Sequence, residues 1–413
     1  MKRALRILGI SQFFYPDSFG GVERVAYETL RRLAARGHDV HLVGQRTREG
    51  TPDVEQMFGL TVHRYGDAGS ALRFAGRTLD ALRASRRVLS ALTSELDFDV
   101  VLPHHYFPYY SYIKVRQDKP APEIMTFHAS FWQELNLEGA ERSVGKPIER
   151  LLFGGLARRT ETVCLRRADR VVVLSGFSRE QMINYYPFTE HKVRKIAGGV
   201  DLERFRPAEN RDDVRRSLDL PAARQVLFTA RRLVPRMGVG NLLKALSIVR
   251  PEAPDFLLVV AGSGRLRQQL SEQAESLGLQ DCVRFVGYVD DDELIRYYQA
   301  ADLFVLPSLA FEGFGMVTLE ALACGTPALG TPIGATPEIL RSLAPQLVLS
   351  GTEPNAIARG VRSMLEWLSD ESEAVRLRGQ CRSFVESCYG WDPAVDRLEA
   401  VIGEVINRGG GDE

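Results

Sequence analysis

No stretch of the 413 residues approaches the ~18 consecutive apolar residues that a membrane-crossing helix needs. The opening Met-Lys-Arg-Ala-Leu-Arg-Ile-Leu-Gly-Ile is basic, but its apolar run is too short for a secretory leader and reads as a first strand. Cysteine is scarce. Cys164, Cys282, Cys324, Cys381 and Cys388 are odd in number, scattered and without a Cys-x-x-Cys pair. That pattern argues against a disulfide framework or a zinc ribbon and predicts reduced thiols in the cytosol. The dinucleotide fingerprint GxGxxG is missing, which argues against an NAD enzyme. Internal repeats and low-complexity segments are missing too. Net charge is also absent, but only in total: residues 1–200 hold 30 Lys and Arg against 22 Asp and Glu, and the remainder holds 23 against 31. A basic first half suits an anionic partner, and two oppositely charged halves also attract across a cleft; both readings stand.

What is present suits a soluble chain of two or three domains, with 45% hydrophobic and 26% charged residues. Its most informative stretch is Leu303 to Gly334. Leu303-Phe-Val-Leu is a short buried strand, followed by a loop with Glu312, Gly313 and Gly315. Met316 to Cys324 has helical spacing and ends at Gly325, and Gly-Thr-Pro restarts the chain into another strand. Strand, glycine loop and helix N-terminus make an anion site, because unpaired N–H groups and the helix dipole converge there. Two carboxylates, Glu312 and Glu320, flank it. Beside an anion they must bond hydroxyls, which points to a phosphate that carries sugar rings.

The first half opens with a βαβ unit: a strand at Arg6-Ile-Leu-Gly-Ile, a loop with Gly20 and Gly21, a helix, and a strand at Val40-His-Leu-Val. A glycine pair at a helix start lets backbone approach a phosphate or a sugar. Ala71 to Leu92 is an amphipathic helix with Arg73, Arg77, Arg83, Arg86 and Arg87, either an outer layer with a solvated face or a contact with anionic membrane. Residues 141–167 are arginine-rich and helix-like, and read as a face for the acceptor or for the membrane. Asp97-Phe-Asp99 has the shape of a metal-holding DxD motif, but its place before the strand Val100-Val-Leu suits an ordinary loop. His104 and His105 follow that strand beside Tyr106, Phe107, Tyr109 and Tyr110, and no third metal ligand lies at a recognisable spacing. Strand C-termini line binding crevices, so His104, His105 and Tyr106 are expected on the acceptor side. The strand Glu123–Phe127 ends at His128. The acids Asp290-Asp-Asp-Glu293 suit the first turn of the helix that follows them.

Glu312-Gly-Phe-Gly-Met-Val-Thr-Leu-Glu320, with the strand before it and Ala-Cys-Gly-Thr-Pro after it, resembles the Glu-x7-Glu motif of the family-4 retaining glycosyltransferases. The resemblance implies an α/β chain of the GT-B fold: two Rossmann-like doubly wound domains facing a central cleft. Residues 1–200, completed by a crossing helix at about 390–408, would form the acceptor-side domain, and residues 201–389 the nucleotide-sugar domain. Lys195 to Pro207 resembles the family's crossing between domains, with Gly198 in place of an asparagine. By the same resemblance Glu312, His128 and Arg232 are catalytic. Gly20, Gly21, Arg231, Arg236, Gly262, Val289, Phe314, Gly315, Met316 and Glu320 bind the donor. Most members place an arginine and a lysine on the donor diphosphate. Here Arg232 aligns with the arginine and Met237 stands at the lysine's place, with Arg236 and Arg231 the candidates to replace it.

The implied reaction moves a sugar from a UDP- or GDP-linked donor to a hydroxyl of a glycan, lipid-linked or small-molecule acceptor, with retention, as in polysaccharide biosynthesis. No cofactor and no metal are expected, and no nucleic acid as partner. The expected location is cytoplasmic, with peripheral contact to the inner membrane face left open. The rivals are a nucleotide-sugar 2-epimerase of the same fold and a catalytically weak nucleotide-sugar-binding protein.

Overall fold

A computed structural model gives the structure of residues 3–18, 20–67, 76–130, 132–133, 147–251 and 255–409. The chain forms two units. One joins Met1–Ala197 to Trp391–Glu413, and the other is Gly198–Gly390.

In the first unit the apolar runs become β1 (Arg6–Ile10), β2 (Asp39–Gln45), β3 (Val54–Met57), β4 (Leu60–Tyr65) and β5 (Val100–Pro103). They line up as β3-β4-β2-β1-β5, parallel except for the hairpin β3–β4. That hairpin turns through Phe58 and Gly59, both at positive φ, the geometry that suits the twist of its strands. A second parallel run, β6 (Ile124–Phe127), β7 (Arg170–Val173) and β8 (Val193–Lys195), joins β5 through a bridge between Val101 and Glu123. Strands β5, β6 and β7 are buried at every position, which is why they read as unbroken apolar runs rather than alternating ones. Leu8, Val101, Met125 and Val171 of the strands pack with Leu89, Tyr109, Tyr112 and Cys164 of the covering helices. Burying each large apolar side chain contributes about 1.5–3 kcal/mol.

The last helix, Trp391–Gly409, belongs to this first unit. It is tied there by Arg36 to Asp396 (2.7 Å) and by Arg170 to Glu404 (2.6 Å). The arginine-bearing helix expected over Ala71–Leu92 spans Gly76–Glu95; residues 71–75, Arg73 among them, lie outside the described residues. Arg83, Arg86 and Arg87 on it are exposed, while Ser85 and Leu89 face inward. Residues 141–146 of the second basic segment and 410–413 of the tail also lie outside the described residues.

The second unit holds β9 (Gln225–Ala230), β10 (Phe256–Ala261), β11 (Val283–Gly287), β12 (Leu303–Leu306) and β13 (Ala328–Gly330), all parallel, in the order β11-β10-β9-β12-β13. Asp302, just before β12, is this sheet's electrostatic anchor. It accepts the Val226 N–H and pairs with Arg211, Arg215 and Arg378.

In both units the chain builds one side of its first strand and then returns to the other side of it. The reversal falls between β1 and β5 in the first unit, and between β9 and β12 in the second. Open parallel sheets bind ligands at the carboxyl ends of the two strands that flank such a reversal. Ser11, Gln12, His104 and His105 follow the first pair; Arg231, Ser308 and Glu312 follow the second.

Candidate active site

In the second unit one nitrogen organises the crevice. Nη2 of Arg231 donates to Glu312 Oε2 at 2.6 Å and to Ser308 Oγ at 2.9 Å, and lies 2.8 Å from Met237 Sδ. The Ser308 hydroxyl also donates to Glu312 Oε2, at 2.9 Å. Glu312 is 8% exposed and Met237 7%. Buried together, the arginine and the glutamate cancel each other's charge, which neither could carry alone in such a place.

Two glycines let the neighbouring loops close on this pair. A Cβ on Gly262, at φ +124°, would sit 1.9 Å from the Arg231 carbonyl oxygen. One on Gly334, at φ +63°, would sit 2.0 Å from the Glu312 carbonyl oxygen. The Ala335 N–H then reaches that same oxygen at 2.8 Å, and the Gly262 N–H donates to the Gly287 carbonyl at 2.6 Å.

After Glu312 the chain enters the helix Met316–Ala323 through Gly315, which is left-handed at φ +88°. The first N–H groups of a helix have no partner within it and face outward from its start. Phe314 turns its ring inward against Gly198: a Cβ there would lie 2.8 Å from the ring, which explains a glycine where the family pattern has asparagine. Glu320 is buried inside the helix and accepts from the Tyr298 hydroxyl at 3.1 Å. Burial, followed by the charge of Glu320, raises the Tyr298 pKa well above its usual value, so the tyrosine stays a donor. Beyond β11, Tyr288 is 60% exposed and Val289 half-buried, the apolar surface nearest that strand's end.

The first unit carries a histidine cluster. His104 and His128 stack with ring centroids 5.6 Å apart, and His104 Nδ1 lies 3.4 Å from His128 Nε2. His105 Nδ1 accepts the Gln12 N–H at 3.2 Å and lies 3.0 Å from Ser11 Oγ, so its ring proton sits on Nε2. Burial lowers the His105 pKa to about 4 and, with the neighbouring His105, that of His104 to about 3; His128 falls well below its usual value for the same reasons. The cluster is neutral at physiological pH, a set of hydrogen-bonding rings rather than a charge. Tyr106 opens the helix Tyr106–Val115 directly behind it. Gly20 caps the helix Gly21–Ala35 in an ordinary extended conformation, with no side-chain cap.

The structure thus brings Glu312 together with Arg231, and His104 together with His128. It does not place Arg232 on Glu312: Arg232 is exposed, and Arg236 meets the neighbouring loop through its carbonyl, which accepts the Leu309 N–H. Ser308, Tyr298 and Ser11 bond the candidate side chains Glu312, Glu320 and His105 and escape the sequence reading. Only Ser308 left a signal, a hydroxyl two residues past a buried strand. Asp99 accepts the Arg6 N–H at 2.7 Å and pairs with Arg3, and Asp290 caps its helix through the Asp292 and Glu293 N–H groups, so both acidic motifs serve the fold. Among the described residues no three His, Cys, Asp or Glu side chains cluster as a metal site, and no helix is long and apolar enough to cross a membrane.

Comparison with known proteins agrees with this geometry. Residues 19–204 match the family described as Glycosyltransferase Family 4, and residues 210–381 match Glycosyl transferases group 1. A D-inositol 3-phosphate glycosyltransferase of Catenulispora acidiphila is 30% identical over 406 residues, spanning 95% of this chain and 92% of that one. Among solved structures, sucrose-phosphate synthase from Thermosynechococcus elongatus superposes with a TM-score of 0.81 at 22% identity, covering 98% of this chain and all of that one. HepE of Anabaena, in complex with UDP and glucose, gives 0.74 at 17% identity, covering 97% of this chain and 100% of that one. At those identities the two structures speak to the fold.

Proposed function

Because the chain belongs to the family-4 glycosyltransferases of the GT-B fold, we propose that it transfers a sugar from a nucleoside-diphosphate sugar to an acceptor hydroxyl, with retention at the anomeric carbon. The observation that carries this reading is Glu312. It is a buried carboxylate at the strand reversal of the second unit, locked by Arg231 and Ser308, and it stands directly ahead of the helix Met316–Ala323. A carboxylate so placed holds sugar hydroxyls while the amides of Phe314, Gly315 and Met316, with Arg232, take the diphosphate. Glu320 holds the ribose hydroxyls and Val289 lies against the base. That HepE is known in complex with UDP and glucose supports a donor of this class.

In the transfer, the bond from the anomeric carbon to the phosphate oxygen breaks and the acceptor oxygen bonds the same face of that carbon. The acceptor proton passes to the departing phosphate oxygen. Fixed guanidinium and peptide N–H groups meet the charge of the leaving group, so the reaction proceeds without a divalent cation. The neutral histidines of the first unit bond hydroxyls of the acceptor. The relative named for D-inositol 3-phosphate, together with the basic excess in residues 1–200, supports an acceptor that carries phosphate.

Thermal unfolding against a panel of UDP-, GDP- and ADP-sugars tests the donor class, since a ligand bound only to the folded state raises the midpoint. The expected result is a rise with one nucleotide series. Turnover with that donor, with and without EDTA, and NMR of the product's anomeric configuration then test metal independence and retention. A flat panel removes the donor reading.

A further inference from the structure

The geometry points to Arg231 as the cation that joins Arg232 on the donor diphosphate, with Met237 uncharged because the Arg231 guanidinium already occupies the place a cation from position 237 would take. This rests on the nucleoside-diphosphate donor reading above and adds to it which side chain carries the charge.

Four observations converge. Arg231 is the first residue past β9 and faces Ser308 and Glu312 past β12, at the reversal where an open parallel sheet takes its ligand. Its side chain is 7% exposed, yet Nε is buried with no hydrogen-bond partner among the described residues. Every protein acceptor it uses falls on Nη2. A guanidinium held by one nitrogen, with a desolvated N–H beside it, is a fork awaiting an anion, and phosphate oxygens match that fork. Finally, Met237 is buried with its sulfur 2.8 Å from Nη2. A lysine side chain in its place would bring an ammonium against the guanidinium, so cations at 231 and 237 exclude each other. The thioether packs there without that repulsion.

The test measures binding of UDP, GDP and ADP, and of uridine, guanosine and adenosine by competition, to the full-length chain and to four variants: Arg231→Ala, Arg231→Lys, Met237→Lys and the double variant Arg231→Ala/Met237→Lys. Thermal unfolding of each confirms folding. Losing a hydrogen bond to a charged group predicts that Arg231→Ala weakens the preferred nucleoside diphosphate by about ten- to a hundredfold while leaving the nucleoside unchanged. The double variant recovers most of that loss, Arg231→Lys keeps most of the affinity, and Met237→Lys alone gains nothing. Should the wild-type chain bind none of the three diphosphates, the donor reading falls and this assignment with it. If it binds one and Arg231→Ala binds that one equally well, the assignment alone is overturned. It is also overturned if nucleoside and diphosphate weaken together and the double variant restores neither.

Discussion

Gly334 lies so close to Glu312 that a single methyl group between them would sit 2.0 Å from the glutamate's carbonyl oxygen. Its φ of +63° adds a conformational cost for any other residue. Gly334→Ala is therefore expected to destabilise the chain by about 1–3 kcal/mol and to lower turnover by pushing Glu312 off its partners. Gly379 is the control: it lies in the helix Glu371–Cys388, and a Cβ there meets nothing within 4 Å. Gly379→Ala should raise stability by about 0.5–1 kcal/mol and leave turnover unchanged. Urea unfolding and steady-state rates on both variants decide the matter.

Glu312→Gln keeps an acceptor for Ser308 and Arg231 but removes the charge. A side chain acting on the transition state predicts a fall in kcat of about a hundredfold or more, with donor KM changed far less. A fall confined to KM would reassign Glu312 to ground-state binding.

The histidines of the first unit predict an acid-sensitive fold. With the His105 pKa lowered to about 4 by burial, the unfolded chain takes up a proton near the ordinary value of 6.5 while the folded chain does not. Stability is therefore complete above about pH 6.5 and declines as the pH falls from there toward about 4, by up to ~1.4 kcal/mol per pH unit for each such group. His105→Asn should remove one group's share of that slope in urea titrations between pH 7 and 5. An unchanged slope would show that His105 titrates alike in the folded and the unfolded chain.

Asp302 predicts a second loss of stability in acid, in a lower pH window than the histidines. Burial alone would raise its pKa, but the charges of Arg211 and Arg215 outweigh burial and lower it. Asp302→Ala leaves three arginines around an empty centre, and about 3–5 kcal/mol of stability should be lost at neutral pH. The wild-type advantage persists above the ordinary aspartate range and shrinks as the pH drops through the lowered value. The two stability curves should therefore converge in acid.

Much of this was legible in the residues. The run from Leu303 to Gly334 announced a strand, an anion loop and a helix, because burial on both sheet faces leaves unbroken apolar stretches and left-handed turns call for glycine. The acids at Asp97-Phe-Asp99 and Asp290 to Glu293 read as loop and cap from their places before a strand and at a helix start, and the structure has them there. The direction of side chains was not legible. Arg231, Arg232 and Arg236 are equivalent as letters, and only the path after β9 turns the first toward Glu312 and leaves the second exposed. Tyr298 could not be foreseen as the partner of Glu320, since it sits on a different helix and packing alone brings the two together.

The helix Trp391–Gly409 completes a unit whose other parts all precede Gly198. During synthesis, then, the earlier unit waits unfinished until the ribosome has delivered everything up to the final turns. The later unit is one uninterrupted segment, Gly198–Gly390, and can mature first. Truncation near the C-terminus would accordingly injure the part of the protein that was translated earliest.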